Sequence, residues 1–321
     1  MRPSRAVDGR ELGARLKERD LSAAPAVLNL LENRAGDARG QTAALLEAVA
    51  PAALGGEAPA HIVGITGPPG VGKSSLLSRL VGGWRAGGRT VAVLAVDPTS
   101  RRSGGALLAD RARIDIDPAD RGVFVRSTAA GGRLGGLAPA TRAAASALAA
   151  AFDVVVIETV GVGQSETEVA DVADTVAVVV QPGSGDVLQF LKAGIMEVPD
   201  VLVVTKADLP QAKRSIADLQ AALQALGAET RVVATSSVAP PAGIDELIGA
   251  LDEHRSALDL PARRLRARRM HALADFAAEH GERGVRALGG ARAAERWLEQ
   301  QDPGLDVAAL ARALAERAAT T

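Results

Sequence analysis

HIVGITGPPGVGKSS, residues 61 to 75, decides how the rest of this chain is read. Its first six residues, His61 to Thr66, are a short β-branched run of the kind that forms a buried strand. Gly67 to Ser74 then match G-x-x-x-x-G-K-[ST], and a Leu-rich stretch with helical spacing follows. Strand, glycine turn and helix is the context that this motif requires. Glycines let the backbone curl until successive N–H groups converge on one point, which suits the phosphates of a nucleoside triphosphate. Gly67, Pro68, Pro69, Gly70, Val71, Gly72, Lys73, Ser74 and Ser75 are therefore candidate nucleotide contacts. Lys73 would neutralise the β and γ oxygens, which also makes it a catalytic candidate, and the Ser74 hydroxyl would ligate magnesium.

Outward from this stretch, β-branched runs alternate with Ala/Leu-rich helical segments. The runs are 61–66, 90–97, 123–127, 153–158, 175–181, 201–206 and 231–236. Such a pattern predicts an α/β fold with a mainly parallel sheet of about seven strands covered by helices on both faces. Residues 1–60 read as an N-terminal helical arm and linker, on the spacing of Leu12 with Leu16, of Val27, Leu28 and Leu31, and of Leu45, Leu46 and Val49. Residues 61–258 read as the nucleotide-binding domain. Residues 259–321, charged and strandless, read as a C-terminal helical arm.

Composition narrows the function classes. The 321 residues suffice for one large α/β domain with helical extensions, or for two small domains. With no Tyr, 4 Phe and 2 Trp, the core must come from Ala, Val, Leu and Ile. A net charge of −1 gives no global field towards nucleic acid or anionic membrane, so neither is expected as a partner. No Cys means no disulfide and no thiolate chemistry, and MRPSRAVDGR lacks the apolar core of a signal peptide, so the expected location is the cytoplasm. The longest nearly apolar run, 143–157, is interrupted by Asp153 and falls short of the roughly 20 residues that span a membrane.

Further carboxylates belong at neighbouring strand ends. DVVVIE delivers Glu158-Thr159-Val160-Gly161, an E-x-x-G in place of the usual D-x-x-G. Glu158 would hold magnesium, directly or through water, and is a catalytic candidate, while the Gly161 N–H would approach the γ-phosphate. Asp97, closing VLAVDPTS, and Asp110, beyond the flexible pair Gly104-Gly105, are further magnesium candidates. Val162 stands where Ras-type enzymes place a water-orienting Gln, so intrinsic hydrolysis should be slow. Gln164 has two readings, a substitute for that Gln or a hydrogen-bonding loop residue.

Residues 205 to 208, Thr-Lys-Ala-Asp, are one letter from the N-K-x-D by which guanine is read. Asp208 would accept from guanine N1–H and the 2-amino group, whereas adenine offers an acceptor at N1 and is repelled. Lys206 would lay its stem over the base. Thr205, shorter than Asn, can do part of the work of tying this loop to the phosphate loop. Ser236 and Ser237, at the end of the last strand run, would supply an N–H to the guanine oxygen. GTP and GDP are thus the expected substrate and product.

Together these residues resemble the cobalamin-associated P-loop GTPases: the methylmalonyl-CoA mutase-associated GTPase MeaB, its human counterpart and the bacterial ArgK proteins. The resemblance covers Gly64 to about Leu251 and rests on GITGPPGVGKSS, VLAVDPTS…SGGALLADRAR, ETVGVGQSE, PGSGDVLQFLKAGIMEVPD and TKAD. It implies a P-loop GTPase of the SIMIBI type that acts as chaperone to an adenosylcobalamin-dependent acyl-CoA mutase, with cobalamin on the partner and not on this chain. It places Asp110 in a first switch, Glu158 to Glu166 in a second, and Lys192 in a mobile loop, Ser184 to Lys192, that aids hydrolysis when the mutase is engaged. It also implies homodimerisation through C-terminal helices, for which Leu265, Met270, Leu273 and Phe276 would supply the apolar stripe. The chain departs from the family pattern at Thr205, where Asn is usual, at LLADRAR in place of LGDKTRM, and in its loosely matching N-terminal arm.

Other readings stand beside this one. A nickel- or zinc-inserting GTPase would need clustered Cys or His, yet Cys is absent and His61, His254, His271 and His280 are scattered. A kinase linked to amino-acid transport would need a kinase catalytic loop, and none occurs in the sequence. Asp252-Glu253-His254 begins like a cobalamin-ligating D-x-H-x-x-G motif, but Ala257 takes the Gly position. The arginines at 263, 264, 266, 268 and 269 suit a solvated helix face, dimer salt bridges or an acidic partner.

Overall fold

The computed structural model describes residues 8–33, 35–36, 38–97, 114–129, 137–159, 165–183 and 199–320, the side chains at 97, 129 and 165–167 excepted. The apolar runs form seven strands: β1 His61–Thr66, β2 Val91–Asp97, β3 Val123–Ala129, β4 Val154–Thr159, β5 Thr175–Val180, β6 Val201–Val204 and β7 Arg231–Ala234. All pair in parallel, in the order β3-β2-β4-β1-β5-β6-β7. The described helices are α1 Gly9–Lys17, α2 Ala24–Glu32, α3 Ala38–Ala48, α4 Pro51–Leu54, α5 Lys73–Ala86, α6 Pro139–Leu148, α7 Ser165–Ala170, α8 Ala212–Ala225, α9 Ile244–Ala257, α10 Leu260–Ala287, α11 Ala291–Leu298 and α12 Val307–Thr320. No helix among the described residues is long and apolar enough to cross a membrane.

Two compact units divide the chain. One comprises Ala60–Ala145 and Phe152–Leu258, the other Met1–Pro59, Ser146–Ala151 and Asp259–Thr321.

In the sheet unit, both faces of the central strands are buried, which explains their unbroken apolar runs. One face, carrying Val63, Ile65, Val93, Val156, Val179 and Val203, packs against Leu76, Leu77, Leu80 and Trp84 of α5 and Leu247 and Leu251 of α9. Truncating one of these, as in Leu77→Ala, would cost about 2–5 kcal/mol through lost burial and the cavity left behind. Ile62, Leu94, Val155 and Ile157 alternate onto the other face and are buried there too.

Register is pinned by one device used three times. Asp153, Asp174 and Asp200 each sit one residue ahead of a strand, and each accepts a backbone N–H from the strand beside it or its approach. Thr90 donates to Asp153 at 2.8 Å, Ile62 to Asp174 at 2.8 Å and Val176 to Asp200 at 2.8 Å. The run predicted from Asp153 therefore becomes a strand only at Val154. At its other end β6 stops at Val204, Thr205 N still donates to Val180 O at 2.9 Å, and Lys206 then takes φ 52°.

The same edge carries a relay. His61 Nε2 lies 2.8 Å from Thr175 Oγ1, which lies 2.9 Å from His254 Nδ1, while His254 Nε2 faces Asp200 Oδ1 at 3.2 Å. A carboxylate accepts, so His254 carries its proton on Nε2 and its Nδ1 accepts from Thr175. Thr175 has one proton to give and so accepts from His61 Nε2–H. Burial lowers the pKa of His61 against the opposing pull of Asp252 and Asp174 and keeps the ring neutral. Burial also works against the charge of Asp252, but the Arg89 guanidinium outweighs it and holds that carboxyl well below the usual range, the His61 Nδ1 lying 3.9 Å away. Arg89 is the nearer, with bidentate contacts of 2.8 and 2.6 Å. Asp252, Glu253 (paired with Arg231) and His254 thus serve the fold.

The helical unit has its own core of Ala272, Phe276, Leu288, Ala294, Leu298, Leu310 and Leu314. Phe276, expected in a dimer stripe, is 1 % exposed within this core, and Leu273 packs against it, whereas Met270 is 43 % exposed. Three of the clustered arginines are engaged inside the unit. Arg264 donates to Ala58 O at 2.6 Å, Arg268 is bidentate to Glu57 at 2.8 and 2.9 Å, and Arg269 donates to Glu299 O at 2.9 Å. α10 turns at Gly281, whose φ of 64° interrupts the helical backbone.

Candidate functional site

Strand order reverses direction at β1, whose neighbours are β4 and β5. In open α/β sheets a ligand crevice lies beyond the C-terminal ends of the strands at such a point. The glycine loop leaves β1 there. A Cβ on Gly67, at φ 140°, would fall 2.1 Å from Val179 O of β5, so the turn against that strand excludes every side chain. Gly70 at φ 78° and Gly72 at φ 98° complete the curl, and Gly72 caps α5. The first N–H groups of α5 consequently point out of the helix towards the loop.

Lys73 is 8 % exposed and folds back across the loop, donating to Gly67 O at 2.7 Å and Pro68 O at 3.0 Å. Ser74, on the next position, donates to Glu158 Oε1 at 3.2 Å. Glu158 is 5 % exposed and lies in register with Ile65 of β1 and Ala95 of β2, so a hydroxyl and a buried carboxylate converge where α5 begins. Ser75 is exposed on the first turn of α5. Asp97 ends β2 on the same sheet edge, with its side chain outside the described set. Asp110, Gly161, Val162, Gln164 and Lys192, and the loop 184–192, lie outside the described residues.

The T-K-x-D loop stands beside the glycine loop and is bonded to it twice. Thr205, 4 % exposed, places Oγ1 2.5 Å from Val71 O and 2.9 Å from Val180 O, its one proton serving both. Lys206 Nζ donates to Gly70 O at 3.2 Å. A non-glycine residue at φ 52° costs roughly 1–2 kcal/mol, which these contacts offset. The expectation that Thr can do part of the tethering of Asn therefore has a geometric basis: the hydroxyl spans the gap.

Asp208 is exposed, and Ser236 Oγ donates to its Oδ1 at 2.6 Å. Ser236 is itself set by backbone bonds of 3.0 Å in both directions with Ala242. Ala207 N donates to Thr235 O at 3.0 Å, which fastens the two loops side by side. Ser237 O accepts from Arg79 of α5 at 3.1 and 3.3 Å. The structure thus brings together the glycine loop, Lys73, Ser74, Glu158, Thr205, Lys206, Asp208, Ser236 and Ser237. Arg79 and Gln181, whose Oε1 accepts from Lys206 at 2.5 Å, are part of this frame and carry no sequence motif.

Sheet order, glycine loop and inward-folded lysine define a P-loop nucleoside triphosphatase. Residues 24–286 match the family described as methylmalonyl-CoA mutase-associated GTPase MeaB, and the chain belongs to that family. A protein of Pyrococcus abyssi whose name designates a GTPase is 43 % identical over 267 residues, covering 81 % of this chain and 80 % of its own. A mitochondrial methylmalonic aciduria type A homolog of Caenorhabditis elegans is 45 % identical over 151 residues, 46 % of this chain and 37 % of its own. A solved structure described as an LAO/AO transport system kinase superposes with a TM-score of 0.63 at 26 % identity, covering 92 % of this chain and 98 % of that one. The resemblance drawn from the motifs is borne out: this chain is a GTPase of the MeaB family, and its ligand is a guanine nucleotide.

Proposed function

We propose that this protein is a GTP-hydrolysing chaperone of an adenosylcobalamin-dependent acyl-CoA mutase, gating the loading or protection of a cofactor held by the partner. The observation that carries the nucleotide reading is the pair of cross-links from the T-K-x-D loop to the glycine loop, with Asp208 oriented by Ser236. One rigid frame then reads the base and cradles the phosphates. Family membership supports the mutase as partner.

In this reading residues 61–258 are the catalytic domain. Backbone N–H groups of Gly67 to Ser75 bind the β-phosphate, and Lys73 transfers contacts from loop carbonyls to β and γ oxygens. Asp208 accepts from guanine, Lys206 covers the base and the Ser236–Ser237 backbone meets the guanine oxygen. The meeting of Ser74 Oγ with Glu158 Oε1 fits a hard divalent cation, since both are oxygen donors at a helix start. Magnesium would be held by Ser74 and Glu158, with Asp97 and Asp110 as further ligands, and when bound it neutralises phosphate charge. The Gly161 N–H approaches the γ-phosphate, and Gln164 orients water or its own loop. Val162 cannot orient water, so Lys192 supplies the missing contact once the mutase is engaged.

Copies pair through the C-terminal helices, with Met270 as the stripe residue open to a second chain. The work is done in the cytoplasm. The deciding experiment is GTP turnover alone and with each candidate mutase: slow alone, severalfold faster with the cognate one, and unstimulated in Lys192→Ala with GTP binding retained. Equal rates with and without every candidate would remove the chaperone role.

A further inference from the structure

The ammonium of Lys206 sits between two elements. Gly70 O of the glycine loop accepts from it at 3.2 Å, and Gln181 Oε1 accepts at 2.5 Å. Gln181 is the first residue after β5 and is half-buried. Its chain continues through Pro182 to Gly183, whose N–H donates to Ser215 Oγ of α8 at 3.1 Å, so the exit of β5 is anchored two residues further on as well. A lysine ammonium has three donors and no acceptor, so the amide must offer its oxygen. That makes the contact charge-assisted, stronger than a bond between neutral groups. It acts on a residue whose left-handed backbone needs support from its surroundings. Gly70 alone would leave the ammonium to swing about one carbonyl. With Gln181 as a second acceptor, the ammonium is held between the exit of β5 and the glycine loop.

We propose that Gln181 is the positioning residue of the guanine-reading loop: it fixes Lys206 and so sets guanine-nucleotide affinity without touching the nucleotide. This rests on the GTP reading above. The chemistry specifies what Gln181 must supply, an acceptor at that point. Glu would supply it, whereas Leu, of similar length, would not.

The test is a double-mutant cycle on the full chain, read by calorimetry with GTP. Gln181→Leu is expected to weaken GTP binding about tenfold, as loss of a bond to a charged group does. Gln181→Glu should stay within about threefold of the unaltered protein, and in a Lys206→Ala background Gln181→Leu should add less than about twofold, since its effect passes through the lysine. Equal losses in both backgrounds, or no loss in either, overturn the proposal. A second readout needs no nucleotide: the Lys206 ammonium should show a slowly exchanging 15N NMR signal that disappears in Gln181→Leu. If that protection survives the substitution, the proposal falls even where GTP binds. An unaltered protein that prefers ATP, with the NMR protection behaving as expected, would instead overturn the GTP reading and leave Gln181 as a positioner for a different base.

Discussion

At the N-terminal edge of the sheet, three aspartates each close a neighbouring strand's backbone, and two histidines share one threonine hydroxyl. At the C-terminal edge, glycines at positive φ and a lysine in left-handed geometry shape the turns, and N–H groups, a lysine and a carboxylate converge there. Both edges are polar, but polarity is spent differently. At the first, donors and acceptors are matched within the protein, which fixes register. At the second, backbone distortion is tolerated so that groups face a shared space. Side chains that hold strands together should therefore be separable from those that hold a nucleotide.

Substitutions can break that separation. Lys73→Ala should reduce GTP turnover by about a thousandfold, the scale of losing a principal electrostatic stabiliser, while the thermal unfolding midpoint stays put. Asp208→Asn should lower GTP affinity roughly a hundredfold and raise that for xanthosine triphosphate, because the amide donates where guanine's 2-amino group also donates. Calorimetry with both nucleotides reads the exchange. On the opposite edge the pattern should invert. Asp174→Ala leaves the Ile62 N–H buried without its acceptor and should cost about 1–3 kcal/mol in urea unfolding, with GTP affinity unchanged. A comparable loss of affinity would show that the two edges are coupled.

The smallest effect is one of pH. Burial lowers the pKa of His61 from 6.5, so the unfolded chain binds a proton more readily than the folded one. Stability is complete above pH 6.5 and declines as the pH falls from there towards the folded value. Unfolding free energy should accordingly decrease between pH 7 and pH 5, and decrease less in His61→Gln, as chemical denaturation at each pH would show.

Much of this architecture is legible along the chain because its signals are local. A glycine loop between strand and helix, a β-branched run, or a carboxylate three residues after a threonine needs no knowledge of what lies beside it. What escapes the sequence depends on strand order. Asp153 reaches Thr90 across 63 positions and Asp174 reaches Ile62 across 112, so an aspartate before an apolar run reads as a boundary and not as a clamp. Gln181 is hidden for the same reason: its partner Lys206 becomes adjacent only because β6 lies beside β5. The C-terminal arm reads as helical along the chain, and it is, but the inward turn of Phe276 depends on α11 and α12, whose packing against α10 no periodicity states. Asp110, Gly161, Gln164 and Lys192 remain assignments of the sequence.

The arginine grips have a consequence for the order of synthesis. Ala58 and Glu57 precede β1, yet Arg264 and Arg268, which hold them, follow 206 and 211 residues later. A nascent chain leaving the ribosome has therefore exposed all seven strands before the residues that fasten the connector after α4 exist. The strands can pair early, while the connector after α4 waits for α10 to emerge.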